Sequence, residues 1–220
     1  MHTKRNEMSK KWPLPRKMKG RKFIATPNHS SSSGISLLFI LRDILKIAKT
    51  RKEARYITLN GLVKINHKVK KDEDSPVGVF DVVSLNDKLN YRLEIVNKKF
   101  KLREIHGNDA EEKIVKIIGK KIIGKDKIQM NLSDGQNFIT KEKFSVGDSV
   151  VVNTKENKIK KMLKLREGAN IEVVLGKHAG EKGKLLKFEE LARGRNYLVK
   201  LNDKDVVLPY KSILVIENDK

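Results

Sequence analysis

From Arg166 to Lys220 the chain offers five short strand-like runs and nothing longer. They are Ile171–Leu175, Lys184–Phe188, Tyr197–Leu201, Val206–Leu208 and Ile213–Ile216, separated by turn residues such as Asn202–Asp205. Each run is too short to shelter an apolar face alone, and every unpaired edge would invite association. Closing such strands into a small barrel hides those edges, so a barrel is expected over 166–220.

Inside that region, Val173–Phe188 reads VVLGKHAGEKGKLLKF, with three glycines and three lysines between the apolar runs Val173–Leu175 and Leu185–Leu186. A phosphate-gripping P-loop would need glycine at 178 and Ser or Thr at 185, where His178 and Leu185 stand. No helix follows to supply an N-terminus for a phosphate, so nucleotide binding is rejected. What remains is a strand–loop–strand in which Gly176, Gly180 and Gly183 permit tight turns or close backbone approach. Lys177, His178, Lys182 and Lys184 would then point outward as phosphate contacts. A solvated hairpin competes with this reading, and the surrounding positive charge favours RNA contact. The stretch resembles the KOW motif of small barrels in ribosomal proteins and transcription elongation factors. That resemblance implies an SH3-like barrel whose loop meets RNA or a protein.

The charge balance is what makes a polyanion the expected partner. There are 49 Lys and Arg against 27 Asp and Glu, a formal net charge of +22. Such a chain repels itself, and each RNA phosphate it neutralises releases a counterion that favours binding. No stretch reads as a basic amphipathic helix with an aromatic face, so a membrane surface is not expected. The chain has no cysteine, which removes disulfides, thiol catalysis and Cys-type zinc sites. The basic N-terminus lacks an apolar run, so no signal peptide is expected, and the longest apolar run, Ile35–Leu41, is far too short to span a bilayer. An intracellular, soluble, polyanion-bound protein is expected from these features.

Residues 1–34 form a basic arm in which Lys4, Arg5, Lys10, Lys11, Arg16, Lys17, Lys19, Arg21 and Lys22 face one acid, Glu7. Pro13, Pro15 and Pro27 oppose helix, and Ser30–Gly34 reads as a flexible loop. The arm is expected to order on nucleic acid, with Trp12 packing it onto RNA or a protein neighbour.

Residues 35–87 change character. Leu37, Leu38, Leu41, Ile44, Leu45 and Ala48 fall at helical spacing. A second helix starts at Thr50 with Glu53 three residues on, a capping box, and stops at Asn60–Gly61. Val63, Ile65 and Val69 then alternate with Lys64 and Lys68 around a turn at Asn66–His67, and a further turn is expected at Pro76–Gly78. Arg51 and Arg55 share a helix face, with Lys52 between them, and Lys64, Lys68, Lys70 and Lys71 lie on the hairpin beside it. TRKEARYITLNGLVKINHKVKKD resembles the small RNA-binding module named after the bacterial ribosomal protein S-four, and departs from it at His67, where the module usually has glycine. The resemblance implies that this helix face and hairpin meet structured RNA.

A central β-rich region, 88–165, a small barrel or sandwich, has strand signals at Tyr91–Val96 and Val150–Val152 and a hairpin signal at Asp134–Gly135. The segment EKIVKIIGKKIIGKDKI fits either strand or helix. The whole is thus an α+β, multidomain chain: arm, small α/β RNA-binding module, central β-domain and C-terminal SH3-like (KOW) β-barrel.

In this order, with KKWPLPRK (Lys10–Lys17) and SPVGVFDVV (Ser75–Val83), the chain resembles the archaeal and eukaryotic small-subunit ribosomal protein of the S-four-e family. The lack of an extended C-terminal section makes it similar to archaeal members. The family implies a non-catalytic ribosomal protein that contacts small-subunit rRNA and neighbouring ribosomal proteins. No cofactor, metal, small-molecule substrate or homo-oligomer is expected.

Two other classes compete with this reading. A pseudouridine synthase would need a catalytic Asp after Gly-Arg-Leu, but Gly20–Arg21 and Gly194–Arg195 are followed by Lys22 and Asn196. His2, His29, His67, His106 and His178 are scattered and assemble no site, so an enzyme is not expected. A KOW-containing transcription elongation or other RNA-binding factor would leave the arm and helical module unexplained. With 5% aromatic residues, recognition is expected to rest on phosphates and RNA shape rather than base stacking.

Overall fold

A computed structural model of the chain describes residues 2–28, 34–86, 89–124, 127–191, 194–202 and 204–217. His29 and the loop expected from Ser30 lie outside them as far as Ser33. The chain is β-rich with few helices and divides into two units, Met1–Glu111 and Glu112–Lys220. No helix among the described residues is long and apolar enough to cross a membrane.

In the first unit the basic arm is built into the fold. Strand β1 (His2–Lys4) pairs with β2 (Phe23–Ala25), and Met8, Trp12 and Ile24 are buried. Trp12 packs on Phe39 with centroids 5.6 Å apart, and its indole Nε1 donates to the Gly34 carbonyl at 3.0 Å. The ring expected to reach RNA or a neighbour is therefore spent inside its own unit. Burying so large an apolar surface outweighs the arm's charge repulsion; truncating such a ring typically costs about 3–5 kcal/mol.

Strand β3 (Gly34–Ser36) leads into α1 (Leu37–Phe39), which widens into a π-helical turn over Ile40–Ile44. The helical spacing extends to Ala48, but Lys46 turns left-handed (φ 56°), and the N–H groups of Ile47 and Ala48 both donate to Leu41 O. The helix α2 (Arg51–Leu59) begins as its capping residues dictate: the Thr50 side chain accepts from Glu53 N at 3.2 Å, and Glu53 Oε2 accepts from Lys49 N at 2.7 Å. It buries Ala54 and Thr58 and ends before Gly61 at φ +72°.

Strands β4 (Val63–Ile65) and β5 (Lys68–Val69) join through Asn66 and His67, both at positive φ. His67 keeps the tight turn without a glycine, because the Asn66 side chain is held: its Nδ2 donates to Asp81 Oδ1 at 2.8 Å, and its Oδ1 accepts from Val82 N at 2.9 Å. Pro76–Gly78 departs from the expected turn. It is strand β6, paired with β3, where the first position suits proline because no ladder N–H is required. Strands β7 (Val82–Leu85), β8 (Leu89–Val96) and β9 (Lys99–Ile105) complete a sheet ordered β5-β4-β7-β8-β9. β8 and β9, expected in the central region, thus pair with the helical module's sheet across the boundary drawn at residue 88.

In the second unit the ambiguous segment is a strand. β10 (Glu112–Ile122) pairs with both β11 (Ile128–Leu132) and β13 (Ser149–Asn153), flanked by β12 (Asn137–Thr140) and β14 (Lys158–Leu163). Val115, Ile117, Met130, Leu132, Val150 and Val152 form its core. The turn at Gly147–Asp148 is fixed by Asp148, whose carboxylate accepts from Ser145 N at 2.9 Å and Leu165 N at 2.8 Å.

The C-terminal runs form the five strands that their spacing predicts: β15 (Asn170–Val173), β16 (Lys182–Leu191), β17 (Gly194–Leu201), β18 (Lys204–Pro209) and β19 (Ile213–Val215). All pairings are antiparallel, in the order β18-β17-β16-β15-β19. Ile171, Val173, Leu185, Tyr197, Val199 and Leu201 fill the interior.

Candidate nucleic-acid interface

On α2 the inward positions are Ala54 and Thr58, so the spacing of 3.6 residues per turn sends Lys52, Arg55, Tyr56 and Leu59 outward. All four are exposed. Lys68 and Lys71 are exposed on and beyond the adjoining hairpin, whereas Lys64 and Lys70 are half-buried. The hairpin is held beside the helix end, since Val69 Cγ1 would lie 3.5 Å from a Cβ on Gly61.

Arg51 is different from Arg55. Its Nε donates to Glu73 Oε1 at 3.1 Å and its Nη2 to Asp74 Oδ2 at 3.2 Å, both carboxylates being buried. Asp72 Oδ2 in turn accepts from Asn28 Nδ2 at 2.6 Å. The acid run Asp72–Asp74, directly after the basic hairpin, is the signal that could have revealed this clamp. Glu53 has its carboxyl held below the usual range by the Lys49 backbone N–H first, and by the Thr50 hydroxyl. Glu73 and Asp74 are thus taken up by Arg51, and among the described residues no carboxylate pairs with Lys52 or Arg55.

In the arm, Lys10, Arg16 and Lys17 are exposed, and Arg16 donates to the Asn6 carbonyl. Lys11 is half-buried over Phe100, 5.9 Å from the ring centroid, and burial lowers its pKa.

The β15–β16 loop is a second surface. Gly176 and Gly180 take φ of 93° and 89°, as turns require. Gly183 serves another purpose: a Cβ there would stand 2.2 Å from Lys200 O on β17. Lys177, Lys182 and Lys184 are exposed, while half-buried His178 turns back within the loop, its Nδ1 3.1 Å from Glu181 Oε2. Between this loop and β18 lies an open groove of about 550 Å³, with Leu175 and Val207 in its wall and Lys177 and Lys211 among its cations. Its apolar walls suit contact with a surface better than a buried phosphate.

Lys113 and Lys116 are withdrawn from the surface; Lys113 pairs with Asp134 at 2.9 Å. Lys116 on β10 donates to the carbonyls of Tyr210 and of Ile213, the latter at 2.9 Å, and lies 3.9 Å from the Tyr210 ring centroid. Burial lowers its pKa to about 8. Alternation along β10 gave no signal for this use.

Two regular elements and a glycine loop thus hold cations outward. The ribosomal family S4e matches residues 88–159. The small ribosomal subunit protein eS4 of Methanocella arvoryzae is 37% identical, covering 84% of this chain and 79% of that protein. The chain belongs to the ribosomal S4e family. The eS4 protein of Methanosphaera stadtmanae is 32% identical, over 100% of this chain and 93% of its own length. The crystal structure of 30S ribosomal protein S4e from Thermoplasma acidophilum superposes with a TM-score of 0.72 at 30% identity, covering 85% of this chain and 96% of that one. The S4e family is a structural, non-enzymatic one.

Proposed function

We propose that the chain is a constituent of the small ribosomal subunit, in the cytoplasm, that binds small-subunit rRNA and abuts neighbouring ribosomal proteins. Family membership over most of the chain carries this reading, since the relatives are named as small-subunit proteins. In it, residues 35–87 act as an S-four-type RNA-binding module extended by β8 and β9, and the five C-terminal strands act as a KOW-type barrel. Lys52, Arg55, Lys68 and Lys71 would take phosphates on the module, Lys10, Arg16 and Lys17 on the arm, and Lys177, Lys182 and Lys184 on the barrel. Lysines supply point charge there, and Arg55 can fork onto a phosphate. Arg51, clamped by carboxylates, would position α2 rather than grip RNA.

The test is sedimentation of the native protein with high-salt-washed small subunits, joined to binding of rRNA fragments by a Lys52→Ala/Arg55→Ala variant. The protein should travel with small subunits. The variant should bind more weakly, with a log Kd against log salt slope reduced by up to about two. Co-migration with RNA polymerase instead, or an unchanged slope, overturns the reading.

A further inference from the structure

We infer that Tyr56 is a stacking platform for an unpaired RNA base, so that this module reads single-stranded nucleotides as well as phosphates. The inference rests on the RNA-binding reading above and adds a mode of recognition that the low aromatic content argued against.

The chain's other well-exposed rings have partners of their own. Phe23 meets His2 edge-on at 5.1 Å and lies beneath Lys22, and Phe188 meets Tyr197 at 5.4 Å. Tyr56 is the most exposed of the three at 69%, and among the described residues neither a ring nor a cation of this chain covers it. An isolated exposed ring would mean little. This one sits on a helix face with Lys52 one turn before it, Arg55 beside it and Leu59 one turn after it. Leu59, Leu62 and Val69 are also exposed, at 53%, 42% and 47%, which extends the apolar surface from the ring toward the hairpin.

The chemistry favours a nucleotide over a protein. Glu73 and Asp74 are paired with Arg51, and among the described residues no carboxylate pairs with Lys52 or Arg55, so the rim of the ring is positive. Phosphates held by Lys52 and Arg55 would bring their own bases against the ring, and any base offers it a π-face. A rigid helix holds the ring outward beforehand, so little order is lost on stacking.

The test uses the full chain with two probes: a stem-loop RNA with unpaired adenosines and a blunt duplex of the same stem, the loop carrying 2-aminopurine. Tyr56→Ala should weaken stem-loop binding from about five-fold upward, the range for one base–aromatic stack. It should leave duplex binding and the salt slope unchanged and abolish the 2-aminopurine quenching. Tyr56→Phe should behave as the wild type, and thermal melting should match because the ring is mostly exposed. Equal loss on both probes, or none on the stem-loop, overturns the inference. So does intact RNA binding with reduced incorporation into small subunits, which assigns the ring to a protein neighbour. Failure of the wild-type chain to bind either probe would instead overturn the RNA-binding reading itself.

Discussion

The outer face of α2 and the β15–β16 loop both present cations, yet they are built on opposite principles. On α2 the backbone is regular, and the side chains decide which charges are free: Arg51 is held by Glu73 and Asp74 while Arg55, one turn on, is not. In the loop the backbone is the constrained part. Gly183 yields its side chain so that β17 can approach, and His178 closes on Glu181. A helix sorts its cations by face; a glycine loop sorts them by what its fold can spare.

The sharpest way to break this comparison is at the glycines. Gly183→Ala drives a methyl into the Lys200 carbonyl and should destabilise the second unit by about 3 kcal/mol or more, with loss of cooperative melting. Gly176→Ala meets nothing within 4 Å and should cost only the strain of its φ of 93°, about 1–2 kcal/mol. Equal shifts in Tm would show that both glycines serve the turn alone.

Lys116 sharpens the contrast between cations kept out and a cation taken in. Its folded pKa lies near 8 against the ordinary 10.5. Between those values the unfolded chain binds the proton and the folded chain does not, so stability should rise as pH climbs from 8 to 10.5. The gain is on the order of 3 kcal/mol at most. Lys116→Met should lack that rise in denaturant titrations across the same window, and parallel pH profiles of the two proteins would refute it.

The smallest effect separates the two arginines. Arg51→Ala removes the guanidinium from two buried carboxylates and should lower stability by about 2 kcal/mol. Arg55→Ala should change stability by less than about 0.5 kcal/mol while weakening RNA binding. The reverse pattern, read by melting and by RNA titration, would return Arg51 to the binding face.

Much of the fold was legible because its signals are local. Thr50 and Glu53 start α2, Gly61 stops it, and the five C-terminal runs lie where β15 to β19 form. Periodicity did not separate strand from helix over β10, and it carried the first helix past the left-handed turn at Lys46. Pro76–Gly78 looked like a turn because its residues are turn formers, while pairing to β3 is a non-local choice.

By itself, then, the sequence determined where elements begin and end and that the chain should seek a polyanion, since caps, turn residues and net charge act within a few residues or by simple summation. Only the tertiary structure decided which charges stay available. Trp12 is drawn into the core, Arg51 is answered by carboxylates more than twenty positions away, Lys116 is folded onto distant carbonyls, and Tyr56 is left bare. Helical spacing turns Tyr56 outward and the acid run Asp72–Asp74 hints at the Arg51 clamp, but which partner each side chain meets depends on packing between segments remote in the chain.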